Sequence, residues 1–182
     1  MNEVFGFGKG PDYKPFITMG GAMTSQWGPS LKMVAHALGA ELDEIRETYE
    51  TEVTDKKLEV ACGVIEAGTV GAVRFQIIGV IDGRDAIVIE HVNRMSDDIA
   101  PHWATAPNGT WRVIIEGMPN ITCQFQVGSR PGADHSEHGM VATAMRIVNA
   151  IPAVCEADPG LVSALDLPLT MPRYVLSASQ SL

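Results

Sequence analysis

Arg74, Gln76, His91 and Asn93 carry the clearest chemical potential in this sequence, because each interrupts an otherwise apolar stretch. An imidazole with an ordinary pKa of about 6.5 exchanges protons near neutrality, so His91 is the candidate acid/base. Arg74, Gln76 and Asn93 offer hydrogen-bonding groups that would orient a small organic molecule. Ile78, Ile87 and Ile89 would supply the apolar walls that such a pocket needs. The competing reading is a hairpin end that simply meets solvent. Trp103, in Ile99-Ala100-Pro101-His102-Trp103, either folds over this pocket or anchors its loop onto the core.

A second group, Asp134-His135-Ser136-Glu137-His138, leads into a helix. His135 and His138 have a spacing used by metal ligands, but no third ligand is in view, so no metal site is expected. Asp134 or Ser136 caps the helix instead. His135 remains a candidate substrate-binding residue at a helix start, where anions are favoured. Nucleophilic catalysis has no support, since there is no Gly-x-Ser-x-Gly elbow and no Cys beside a base. Gly6-Phe7-Gly8-Lys9-Gly10 lacks the preceding strand and following helix of a nucleotide loop. No nucleotide site of the chain's own is expected.

The elements that must position these groups follow from periodicity. Residues 1–26 are glycine- and proline-rich and read as an arm. A helix follows, with Ser25 as cap, Pro29 in the first turn, and Leu31, Val34, Ala35 and Leu38 on one face before Gly39. Alternation then predicts half-buried strands at 42–53, 58–65, 69–81, 84–94, 111–116 and 121–127. Asp82-Gly83 predicts a type I′ hairpin turn. Uniform pairing across that turn sets His91 opposite Arg74. It also puts Val73, Phe75, Ile77 and Val88 on one face, and Ile78, Val80, Ile87 and Ile89 on the other. A closing helix spans about 136–150, and a tail follows from 161. The expected fold class is α+β: a mostly antiparallel (mixed) sheet of about six strands with two main helices, residues 27–160 forming one domain. Two apolar sheet faces and too few helices to cover them predict a homodimer through the sheet.

With 182 residues, the chain is long enough to bury an ordinary core. Its 13 basic and 22 acidic residues give a net charge of −9, which argues against nucleic acid as a partner. No apolar run approaches a membrane span and no leader is visible, so a cytoplasmic location is expected. Cys62, Cys123 and Cys155 read as reduced packing residues.

Several segments resemble one family. His91-Val92-Asn93-Arg94, Ala100-Pro101-x-Trp103 and the run from Met145 to Cys155 are similar to the dihydrodipicolinate-reductase-like group. Within that group, the likeness is greatest to 2,4-diaminopentanoate dehydrogenase and the native amine dehydrogenases. Gly6-Phe7-Gly8, Trp27-Gly28-Pro29 and Glu44-Ile45-Arg46-Glu47 follow the same family's order. The resemblance implies a C-terminal substrate-binding and dimerisation domain of an NAD(P)-dependent oxidoreductase acting on amines or ketones. It also implies that NAD(P) belongs to a separate Rossmann domain or chain, since the family's nucleotide-binding glycines have no counterpart here. The acidic residue such enzymes carry near the nicotinamide is also missing, and His102 stands where an acidic residue is expected. The isolated chain is therefore expected to be inactive. The alternatives are a stand-alone small-ligand module and a cofactor-free lyase or isomerase using His91 or His135.

Overall fold

Asp82 and Gly83 both take positive φ, 52° and 69°, the geometry of the expected type I′ turn. They join β4 (Val70–Ile81) to β5 (Arg84–Arg94), and β1 (Glu44–Val53) pairs along the other edge of β4. The result is an antiparallel sheet of order β1-β4-β5. The computed structural model describes residues 2–61, 63–104, 111–128 and 135–170. The chain divides into two compact units, Met1–Thr105 and Ala106–Leu182. The class is α+β with antiparallel sheets. Among the described residues the strands form sheets of three, two and two rather than one of six.

The pairing of β4 with β5 departs from the uniform register expected from the turn. Val80 faces Asp85, but Gly79 faces Ile87, so Ala86 is an extra residue on β5. Such a bulge shifts the register by one, and a one-residue shift exchanges sheet faces. His91 therefore lies opposite Phe75, and Arg74 lies opposite Val92. Ile87, Ile89, His91 and Asn93 share a face with Val73, Phe75 and Ile77, not with Ile78 and Arg74.

That face is the covered one. Helix α2 (Ala22–Ala37) lays Met23, Leu31 and Ala35 onto it, and Trp27 packs 4.9 Å from Phe75. The helix starts four residues earlier than a Ser25 cap implies, leaving Pro29 inside it. Its start is secured from outside, because Thr24 donates its backbone N–H and its hydroxyl to Glu47 of β1 at 2.6 and 2.5 Å. A distant carboxylate thus satisfies a first-turn donor that local capping usually serves.

The glycine-rich segment is not a loose arm. Asn2–Phe5 forms a short helix, α1, and Phe7 and Pro15 are fully buried. Gly8 donates its N–H to the Val70 carbonyl at 2.9 Å, and Val70 returns a bond to Lys9 at 2.9 Å. Positive φ at Gly6 and Gly8 lets the backbone turn this closely against the sheet. A small hairpin, β2 (Leu58–Val60) with β3 (Gly63–Ile65), completes the first unit.

In the second unit β6 (Trp111–Ile115) pairs with β7 (Ile121–Phe125), and α3 (His135–Val148) and α4 (Ile151–Glu156) follow. Gly139 of α3 sits against Trp111, where a Cβ would lie 3.0 Å from the indole.

Candidate functional site

The open face of the three-stranded sheet carries a polar cluster beside Ile78, Val80 and Val88. Arg74 donates its Nε to Glu90 at 2.9 Å and sets a terminal guanidinium nitrogen 3.6 Å from Glu50. Gln76 donates its amide to the same Glu90 oxygen at 2.7 Å and faces the Thr48 hydroxyl at 3.4 Å. Nearer the turn, Arg46 bridges Glu44 and Asp85. These groups arise from alternation: β1, β4 and β5 send Glu50, Arg74 and Glu90 to one side because the pleat has a period of two. The cluster can hold a polar or charged small molecule only by exchanging these internal partners for new ones.

His91 lies on the other face, in an aromatic stack. Its ring is 4.8 Å from Phe75 at an interplanar angle of 18°, and 6.1 Å from Phe5 at 8°. Phe5 in turn stacks on Phe75 at 6.1 Å. Burial pushes the His91 pKa down, which favours the neutral imidazole. Tyr49 closes the cluster, donating its hydroxyl to the Phe5 carbonyl at 2.8 Å.

The structure therefore divides the residues that the sequence suggested would converge. Arg74 and Gln76 stay together, joined by Glu90 and Glu50. His91 and Asn93 belong to the opposite face, Asn93 pairing with Val73. Trp103 is buried against Ala72, Ile99 and Ala100, so it anchors its loop. Lys56 reinforces the loop through Asp98, whose carboxyl is held down at about 2 by its bonds to Lys56 and Ser96. His135 opens α3, but its side chain lies outside the described residues, as does Cys62. Cys123 and Cys155 are free and exposed, which corrects their reading as packing residues.

Glu90 and Phe5 were missed by sequence reasoning. Glu90 alternates with Val88 and Val92, so correct register would have placed it beside Arg74. Phe5 gave no periodic signal, because its contacts depend on the fold of the glycine-rich segment. Among the described residues no group of three or more His, Cys, Asp or Glu could hold a metal. None of their helices is long and apolar enough to cross a membrane.

Comparison with known proteins gives consistent likenesses. Residues 22–181 match the family model for the 2,4-diaminopentanoate dehydrogenase C-terminal domain. An amine dehydrogenase of Streptomyces virginiae is 41% identical over 173 residues, covering 93% of this chain and 48% of that protein. A 2,4-diaminopentanoate dehydrogenase of Acetoanaerobium sticklandii is 31% identical over 148 residues, covering 81% and 38%. The chain thus spans about half, or less, of the curated relatives it matches. Among solved structures, an amine dehydrogenase from Mycobacterium smegmatis superposes with a TM-score of 0.57 at 18% identity. That match covers 93% of this chain and 46% of the other, and supports the fold.

Proposed function

This chain belongs to the family of 2,4-diaminopentanoate dehydrogenase C-terminal domains, and on that footing we propose that it is the substrate-side and dimer-forming domain of an NAD(P)-dependent oxidoreductase acting on amines and ketones. The observation that carries this reading is its identity with an amine dehydrogenase along nearly the whole chain. Free cysteines at 123 and 155 favour a reducing, cytoplasmic setting.

The described residues do not fit a dinucleotide. The one glycine-rich run spends its amides on the sheet and on itself, Gly8 donating to Val70, Gly6 to Asn2 and Lys9 to Gly6, and so has no row of free amides to cradle a pyrophosphate. NAD(P) binding is assigned to a separate Rossmann domain. Arg74 and Gln76 are assigned to substrate contact, because they stand half-buried with Glu90 on the face that α2 leaves open. His91 is not placed to exchange protons with anything bound there.

The test is a chimera in which this chain replaces the matching portion of the Streptomyces virginiae enzyme. Amine-dependent reduction of NAD(P)+ is expected, with a changed range of amines. A folded chimera that binds NADPH yet oxidises no amine and aminates no ketone would refute the reading. In an active chimera, Arg74→Ala is expected to raise KM several-fold with kcat less affected.

A further inference from the structure

Beyond that reading, we infer that His91 is an acid-sensitive latch that holds the amino-terminal segment, residues 2–15, on the covered face of the sheet. The segment is fastened at three places, one of them the fully buried side chains of Phe7 and Pro15. Its backbone pairs with Val70 through Gly8 and Lys9. Its only aromatic anchor on β5 is Phe5, whose ring stacks on both Phe75 and His91. The Tyr49 hydroxyl adds one bond, to the Phe5 carbonyl. A neutral imidazole is a flat, weakly polar ring that stacks well on phenyl groups. A protonated one must be hydrated or paired, and stacking against Phe5 and Phe75, which leaves the ring half-buried, limits its hydration.

No charged neighbour offsets that cost. On α1, Glu3 is exposed; further along the segment, Asp12 and Lys14 are exposed and Lys9 lies over Tyr13. On α2, Lys32 and His36 are exposed. On β1, Glu47 is engaged by Thr24 and Tyr49 by Phe5. On β4 and β5, Arg74, Glu90 and Arg94 project from the opposite face. The shift of His91 accordingly has burial as its cause. The sign follows from linkage. A base whose pKa is lower when latched than the ordinary 6.5 holds best above that pH. The latch then weakens as pH falls below it, because the released segment leaves His91 free to bind a proton. Phe5 lifts first, and the strand hairpin beneath it remains.

The experiment follows amide hydrogen-exchange protection of Gly8 and Val70 by NMR between pH 8 and 5, together with the His91 ring resonances. In the wild-type chain both protection factors are expected to fall several-fold in step with His91 protonation. His91→Phe keeps the stack but cannot titrate, and its protection factors are expected to be independent of pH. The same fall in His91→Phe, or full protection in the wild type with His91 protonated, would overturn the inference. Should His91→Phe not fold, His91→Gln serves under the same two criteria. Neither outcome depends on enzymatic activity, so failure here is separable from failure of the functional reading.

Discussion

Tyr49 sits at the boundary between the covered face and the amino-terminal segment, and burial pushes its pKa up to about 12. The raised value means that the folded chain resists losing this proton. Its contribution to stability is present below the ordinary value of 10.0 and is lost as pH rises through the folded value. Alkaline titration at 295 nm is therefore expected to show one of the three tyrosines ionising near pH 12. Tyr49→Phe should abolish that late step and cost about 1 kcal/mol by urea unfolding, since the Phe5 carbonyl loses its donor. Glu47 is the second residue of this kind. In sequence it belongs to an acidic run that reads as a solvated strand face, yet the pleat turns it inward to meet Thr24. Glu47→Ala is expected to destabilise the fold by about 1–2 kcal/mol, with Glu47→Asp partly restoring it. An urea midpoint unchanged by Glu47→Ala would show the cap to be dispensable.

The elements themselves were legible where local chemistry decides them. Strands β4 and β5 follow from β-branched runs, and Asp82-Gly83 fits a turn that requires two positive φ values. The candidate site was not legible, because it depended on register, and register depends on the bulge at Ala86. Nothing in Arg84-Asp85-Ala86-Ile87 announces an unpaired residue. The bulge exists because the covered face needs Ile87, Ile89 and His91 inward, against α2 and Phe5, while Asp85 pairs with Arg46 outside. The start of α2 was illegible for a related reason, since Glu47 serves it from 23 residues away. Packing between α2 and β4 sets a further expectation. A Cβ on Gly79 would lie 2.6 Å from Leu31 and 2.8 Å from Leu42, both in the core or packed against it. Gly79→Ala is expected to cost about 1–3 kcal/mol through this overpacking. Thermal unfolding of Gly79→Ala alone and with Leu42→Val measures it, and the second change should recover part of the loss.

Self-association depends on which surfaces the register leaves apolar. The sequence suggested two apolar faces on one sheet; the open face of the β1-β4-β5 sheet carries Ile78, Val80 and Val88 together with Arg46 and Arg74, each paired to carboxylates on the same face. Such exposed pairs contribute little to stability, but burying them unchanged against a partner is costly. Apolar surface is instead concentrated in the second unit. A two-stranded hairpin is marginal in water unless one of its faces is covered. Here Ile115 and Phe125, on the face of Trp111 and Val113, are 50% and 53% exposed, while Met140 and Ile147 on α3 are 68% and 73% exposed. A second copy is the simplest cover, because a two-fold axis matches the same apolar patch to itself. The expected oligomer is therefore a homodimer joined through the β6–β7 sheet and α3, with the charged face of the first sheet left in solvent. Light scattering at micromolar concentration should report about twice 19.5 kDa. Ile115→Lys, which sets a charge into the patch, is expected to yield a folded monomer. Val88→Lys, on the open face of the first sheet, should leave the dimer intact. A monomeric wild type would refute the association, and dissociation by Val88→Lys alone would return the interface to the first sheet.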